Sequence, residues 1–219
     1  MIDVTIVITN YNKGHLLERA VRSAVNQLLV RKSIEVILVD DASSDDSLGR
    51  LIDLDDEIRI IRHDTNLGVA GASNSGLEAA LGKYWMRLDA DDYLSQMTVQ
   101  HMATILDANE DFGFVYSDHL RIQSGSKEPE LVRLDNRRNL MLHGAGVLFR
   151  TDLLREIGGY DISLRNGEDT DLLGRLFNNG VTGFYYPVPF YRYFLQEGGL
   201  TNETDRERII QELGEKYEF

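Results

Sequence analysis

The sequence predicts an α/β fold built on a doubly wound, mostly parallel sheet flanked by helices. Three observations predict it. Strand-like apolar runs alternate with helical patterns through the first hundred residues, the order expected of a parallel sheet. Those runs are apolar almost throughout, the mark of strands buried on both faces. Polar residues gather where each run stops, and in such sheets ligands bind outside the carboxyl ends of the strands.

The elements follow in order. Val4 to Ile8 is β-branched and nearly continuously apolar, so it reads as a buried strand. Thr9-Asn10-Tyr11-Asn12-Lys13-Gly14 makes a polar turn. Leu16, Leu17, Ala20, Val21, Ala24, Val25 and Leu28 recur at helical spacing. Ile34 to Val39 is a second strand, ending in Asp40-Asp41. Ser43 and Asp46 stand at capping-box spacing for a helix running towards Ile52. Ile58 to Ile61 is a third strand, and Val69 to Leu81 a helix of small residues. Tyr84 to Leu88 is a fourth strand, ending in Asp89-Ala90-Asp91-Asp92, and a helix follows from about Ser95 to Ala108.

The second half is less regular. Phe112 to Ser117 and Gly144 to Arg150 read as strands, and Gly125 to Asn136 as a charged loop. Asp152 to Ile157 is a short helix stopped by Gly158-Gly159. Glu168 to Asn178 is a helix ended by Asn179-Gly180. Phe184 to Tyr186 and Phe190 to Phe194 are aromatic and strand-like, and Asp205 to Glu218 is a charged amphipathic tail helix suited to packing or dimerisation.

Composition narrows the function. The 219 residues carry 36 acids against 23 Lys and Arg, a net charge of −13. That balance is the opposite of a duplex binder's, so nucleic acid is not an expected partner. With no cysteine, disulfides, thiolate metal sites and cysteine nucleophiles are excluded. No apolar run approaches the ~20 residues that span a bilayer, and the first residues lack a signal-peptide pattern. The expected location is therefore cytoplasmic.

Asp89-Ala90-Asp91-Asp92 is the most informative cluster. An acidic turn is common in itself. If the chain stays extended, however, Asp89 and Asp91 point the same way and share a cation. Hard oxygen ligands suit Mg²⁺ or Mn²⁺ held jointly with substrate phosphates. Asp40-Asp41 reads either as a helix cap or as carboxylates that accept hydrogen bonds from a nucleoside. The dinucleotide fingerprint is absent, because no Gly-x-Gly-x-x-Gly follows the first strand. Walker A, His-Glu-x-x-His and Gly-x-Ser-x-Gly patterns are missing too.

Six segments in order are similar to family 2 glycosyltransferases of GT-A fold. They are Val4 to Lys13, Glu35 to Ser47, Asn66 to Leu77, Trp85 to Tyr93, Gly144 to Arg150 and Ile157 to Leu172. The resemblance implies one GT-A domain over 1–219. Its nucleotide-binding half is 1–95, its acceptor half 96–200, and 201–219 its tail helix. It further implies that Thr9, Tyr11 and Asp41 contact the nucleoside, with Tyr11 stacking on the base and Asp40 assisting. Asn66 and Gly68 shape the pocket wall. Asp89 approaches the ribose, and Asp91, with Asp92 sharing the task, holds the Mn²⁺ or Mg²⁺ that bridges the diphosphate. Asp169 is the general base and Glu168 orients it or binds the acceptor. Gly144 lets the backbone approach a sugar, and Arg192 meets the diphosphate.

Where many relatives carry a basic residue, this chain has Ser73. It also lacks Gln-x-x-Arg-Trp, which points to transfer of a single sugar. The implied partners are a nucleoside diphosphate sugar, leaning to UDP, and a glycan or lipid-linked hydroxyl; the latter would bring the enzyme to the inner face of the membrane. Two alternatives stay open: a sugar nucleotidyltransferase and a non-catalytic sugar-nucleotide-binding module.

Overall fold

The structure is a computed structural model that describes residues 2–123, 125, 128–142, 145–195 and 211–218. Its centre is a nine-stranded mixed sheet. Strands β1 (Val4–Asn10), β2 (Ile34–Asp40), β3 (Arg59–Arg62) and β4 (Tyr84–Asp89) lie side by side and parallel, in the order β3-β2-β1-β4. The expected parallel sheet holds for this half. Every residue of β1 is buried, as its unbroken apolar character requires. β3 lies at the edge and is mostly exposed.

Beyond β4 the sheet turns mixed. The remaining strands are β5 (Tyr93–Leu94), β6 (Phe112–Gln123), β7 (Glu130–Val132), β8 (Leu148–Arg150) and β9 (Thr182–Leu195). β8 pairs antiparallel with both β4 and β6, β6 runs parallel to β9, and β5 and β7 are short antiparallel additions. β7 falls inside the segment expected to be a loop. The two aromatic runs form one strand, β9. Its register against β6 jumps between Tyr186↔Ser117 and Tyr191↔His119. Residues 187–190 are thus looped out at Pro187 and Pro189, which cannot donate to a ladder.

Helices cover both faces. α1 (Gly14–Val25) and α3 (Thr98–Ala108) pack on one face through Leu17, Val21, Val99 and Met102 against Ile6, Ile8 and Met86. The other face carries α2 (Gly68–Ala79), α4 (Arg137–Leu142), α5 (Thr151–Glu156) and α6 (Glu168–Asn178). Leu140, Leu154, Leu172 and Leu176 there join Val7, Ile37 and Trp85 in the second core. α4 has no counterpart among the sequence expectations. The short tail helix α7, residues 211–217, adds Leu213 and Tyr217 to that core. The rest of the expected tail helix lies outside the described residues.

The segment after β2 corrects one expectation. Its helix is a 3₁₀ helix, Leu48–Glu57, that begins at Ser47 with no side-chain cap. Ser43 does not cap it. Its Oγ instead accepts hydrogen bonds from the Asn12 backbone N–H and from Asn10 Nδ2.

Candidate active site

The carboxyl ends of β2, β1 and β4 lie adjacent because the three strands run parallel in matched register. Asn10 stands opposite Asp40, and Thr9 opposite Asp89. The acids that end β2 and β4 are thus brought to one edge of the sheet.

At the β2 end the two acids divide the work. Asp40 is fully buried; its Oδ1 accepts from Asn10 Nδ2 at 2.8 Å, and Arg62 Nε lies 3.5 Å from its other oxygen. It has no surface to offer a nucleoside and instead fixes Asn10. Asp41 accepts from the backbone N–H groups of Leu67 and Gly68, both at 2.8 Å, and contacts His63 Nδ1 at 2.7 Å. It therefore pins the loop that carries Asn66 and Gly68. Asn66 Oδ1 accepts from the Gly68 N–H, and Gly68 has φ +78°, a conformation that favours glycine. His63 continues the chain to Ser75 Oγ at 2.9 Å. Tyr11 is half exposed at this edge, open to stacking.

At the β4 end the chain does not stay extended. A turn closed by the Asp92 N–H on the Asp89 carbonyl sends the three acids to separate partners. Asp89 Oδ1 accepts from Thr9 Oγ1 at 3.3 Å and pairs with Arg87 Nε at 3.0 Å. Asp91 pairs with Lys13 Nζ at 2.9 Å, with a quarter of its side chain accessible. Arg19 Nη2, held over Tyr93 and Phe194, donates to the Asp91 carbonyl. Asp92 is 1% exposed. It accepts from Tyr191 Oη and from the Phe194 N–H, both at 2.7 Å. Burial, with the charges of Asp89 and Asp91, pushes its carboxyl well above the ordinary range. Asp92 is thus corrected from metal ligand to buried anchor of β9.

Glu168 and Asp169 reach the same place through Arg87. α6 begins behind Gly167 with Glu168, Asp169 and Asp171 in its first turn and no side-chain cap, where acids oppose the helix dipole favourably. Arg87 Nη1 meets Glu168 Oε1 at 3.2 Å and Nη2 meets Asp169 Oδ2 at 2.6 Å, while Nε holds Asp89. One guanidinium is shared by three carboxylates. Burial pushes the Asp169 carboxyl up to about 7, against the pull of Arg87, with Glu168 and Asp89 adding repulsion. The Asp169 side chain remains 22% accessible and borders a narrow crevice walled by Arg87, Gly146, Tyr160 and Tyr191.

Arg192 is not drawn into this site. It lies on the opposite side of β9 from Tyr191, as strand alternation dictates, and its guanidinium donates to its own strand's Pro189 carbonyl. Gly144 lies outside the described residues. Arg87, Lys13 and His63 are the site residues the sequence reading missed. The signal for Arg87 was present: a lone cation inside Tyr84-Trp85-Met86-Arg87-Leu88 must be paired once buried.

The donor set suits a divalent cation in one respect. Asp91 is a partly accessible hard oxygen donor that already faces a cationic group, Lys13. That matches an ion held by one or two carboxylates together with substrate phosphates. Among the described residues no three acidic or histidine side chains gather into a protein-only metal cage.

With this geometry in place, comparison with known proteins gives the class. The model of the family "Glycosyl transferase family 2" matches residues 5–158, and the chain belongs to that family. It is 31% identical to the succinoglycan biosynthesis protein ExoO of Rhizobium meliloti, over 91% of this chain and 62% of that protein. Its fold is that of S. aureus TarS, solved in complex with UDP-GlcNAc: TM-score 0.81, 18% identity, covering 98% of this chain and 66% of that one. The mannosyltransferase PcManGT of Pyrobaculum calidifontis, solved with GDP-Man and Mn²⁺, superposes with TM-score 0.73 at 20% identity, covering 93% and 60%. The GT-A architecture is thereby established. The chain spans between about a quarter and two thirds of the length of the first curated relatives it matches. Among the described residues no helix is long and apolar enough to cross a membrane.

Proposed function

We propose that this domain transfers one sugar from a nucleoside diphosphate donor, a UDP-sugar by preference, to a hydroxyl group of a glycan or lipid-linked acceptor, with inversion at the anomeric carbon. The observation that carries the reading is the meeting of Asp89 and Asp169 on Arg87, which joins the donor edge of residues 1–95 to the acceptor side of 96–200. TarS with UDP-GlcNAc and PcManGT with GDP-Man and Mn²⁺ share this fold and support a sugar-nucleotide donor.

In this mechanism Tyr11 stacks on the base, and the loop pinned by Asp41 walls the nucleoside. Asp169 accepts the proton of the acceptor hydroxyl as that oxygen attacks the anomeric carbon and the bond to the diphosphate breaks. A carboxyl raised to about 7 suits a base near neutral pH. Glu168 helps to orient the acceptor. Asp91 would hold Mn²⁺ or Mg²⁺ together with the donor's phosphates. A metal ion bound there supplies charge neutralisation for the departing diphosphate. Much of the rate comes from aligning the two substrates.

The test is product analysis. Incubation with sugar nucleotides, Mn²⁺ and hydroxyl acceptors should release a nucleoside diphosphate and give a glycoside of inverted configuration by NMR. Release of pyrophosphate would make the protein a nucleotidyltransferase. Tight donor binding with neither transfer nor donor hydrolysis would make it a binding module.

A further inference from the structure

We infer that Arg87 is the positioning residue of this site, a single cation that aligns the acceptor-side base with the donor end of β4. The inference rests on the reading above, which makes Asp169 the base. Three features carry it. First, all three guanidinium nitrogens are committed, Nε to Asp89, Nη1 to Glu168 and Nη2 to Asp169. This forked geometry is beyond a lysine ammonium. Second, Arg87 is only 8% exposed and its guanidinium lies 5.4 Å from the Tyr160 ring centroid. Tyr160 is in turn anchored, its N–H on Asn74 Oδ1 and its carbonyl on Asn74 Nδ2, both at 2.8 Å. The cation is clamped between strand, loop and helix. Third, Asp89 and Asp169 lie 80 residues apart in the chain and repel one another, yet the same guanidinium holds both. Their separation is set through Arg87.

The chemical consequence is specific. Arg87 neutralises part of the repulsion among Asp89, Glu168 and Asp169 and fixes the direction in which Asp169 presents its second oxygen. It acts on the chemical step by placing the base, since misplacement by about 1 Å costs on the order of a hundredfold in rate. It does not itself hold the donor, so its loss should fall on kcat rather than on donor affinity.

The test compares Arg87→Met and Arg87→Lys with wild type. For each, kcat, the donor KM and the calorimetric donor affinity with Mn²⁺ are measured, along with melting temperature. The expected result is a kcat lower by about a hundredfold in Arg87→Met, with donor affinity within about threefold, and partial recovery in Arg87→Lys, which restores the charge without the fork. Millimolar guanidinium added to Arg87→Met should raise kcat again. If Arg87→Met fails to fold, Arg87→Lys decides alone, with kcat expected to fall about tenfold. Wild-type kcat in the folded variants would overturn the inference, as would a loss confined to donor binding. Failure of the underlying reading looks different: Asp169→Asn would then still transfer sugar, whatever Arg87 does.

Discussion

Tyr191 Oη donates to Asp92 Oδ2 at 2.7 Å, between two side chains that are each 1% exposed. The contact ties the third acid of Asp89-Ala90-Asp91-Asp92 to β9, almost a hundred residues further along the chain. Asp92 is therefore part of the scaffold that carries the site. Tyr191→Phe leaves a buried carboxyl short of a partner, which costs roughly 1–3 kcal/mol. Thermal unfolding should show the loss, while Mn²⁺-dependent donor affinity in the folded protein stays at the wild-type value.

Gly146 is the second support. It has φ +70°, and a Cβ built there falls against the Tyr191 ring. Gly146→Ala must strain the backbone and push Tyr191 away from Asp92. The expected destabilisation is roughly 1–3 kcal/mol, read as a lower melting temperature. An unchanged melting temperature would show that the ring moves aside freely.

Asp91 faces Lys13 at 2.9 Å and is the metal's carboxylate in the proposed mechanism. Asp91→Ala should weaken donor binding in the presence of Mn²⁺ by about tenfold or more and leave metal-free donor binding little changed. Calorimetry with and without Mn²⁺ separates the two. Equal affinities for variant and wild type in Mn²⁺ would remove Asp91 from the metal's ligands.

The pH dependence follows from Asp169. Burial raises its carboxyl to about 7, and the base works only when ionised. Activity should therefore be low below that pH and rise through it, with an apparent midpoint near 7 in the kcat profile. A profile flat between pH 5 and 8 would contradict an elevated base.

The first half of the fold was legible because β1, β2 and β4 are largely buried and so leave unbroken apolar runs, and Glu168–Asn178 matched its helix residue for residue. The second half was harder to read. β8 is three residues long and β9 is interrupted at Pro187 and Pro189, so neither leaves a clean period. At the site, sequence order revealed which acids end strands but not what each one faces. A cation shared by Asp89 and Asp91 requires an extended chain, which the Asp89–Asp92 turn rules out. Arg192 lies on the opposite side of its strand from Tyr191, a matter of register that β6 and β9 set together. Arg87 went unread because two of its three partners, Glu168 and Asp169, are distant in the chain; only folding brings α6 to the end of β4.

The most direct measurement is sugar transfer by Asp169→Asn beside its calorimetric donor affinity. The account predicts a kcat lower by about 10²–10⁴-fold with donor affinity within a few-fold of wild type. Transfer at the wild-type rate would contradict it, as would an equal loss of donor binding.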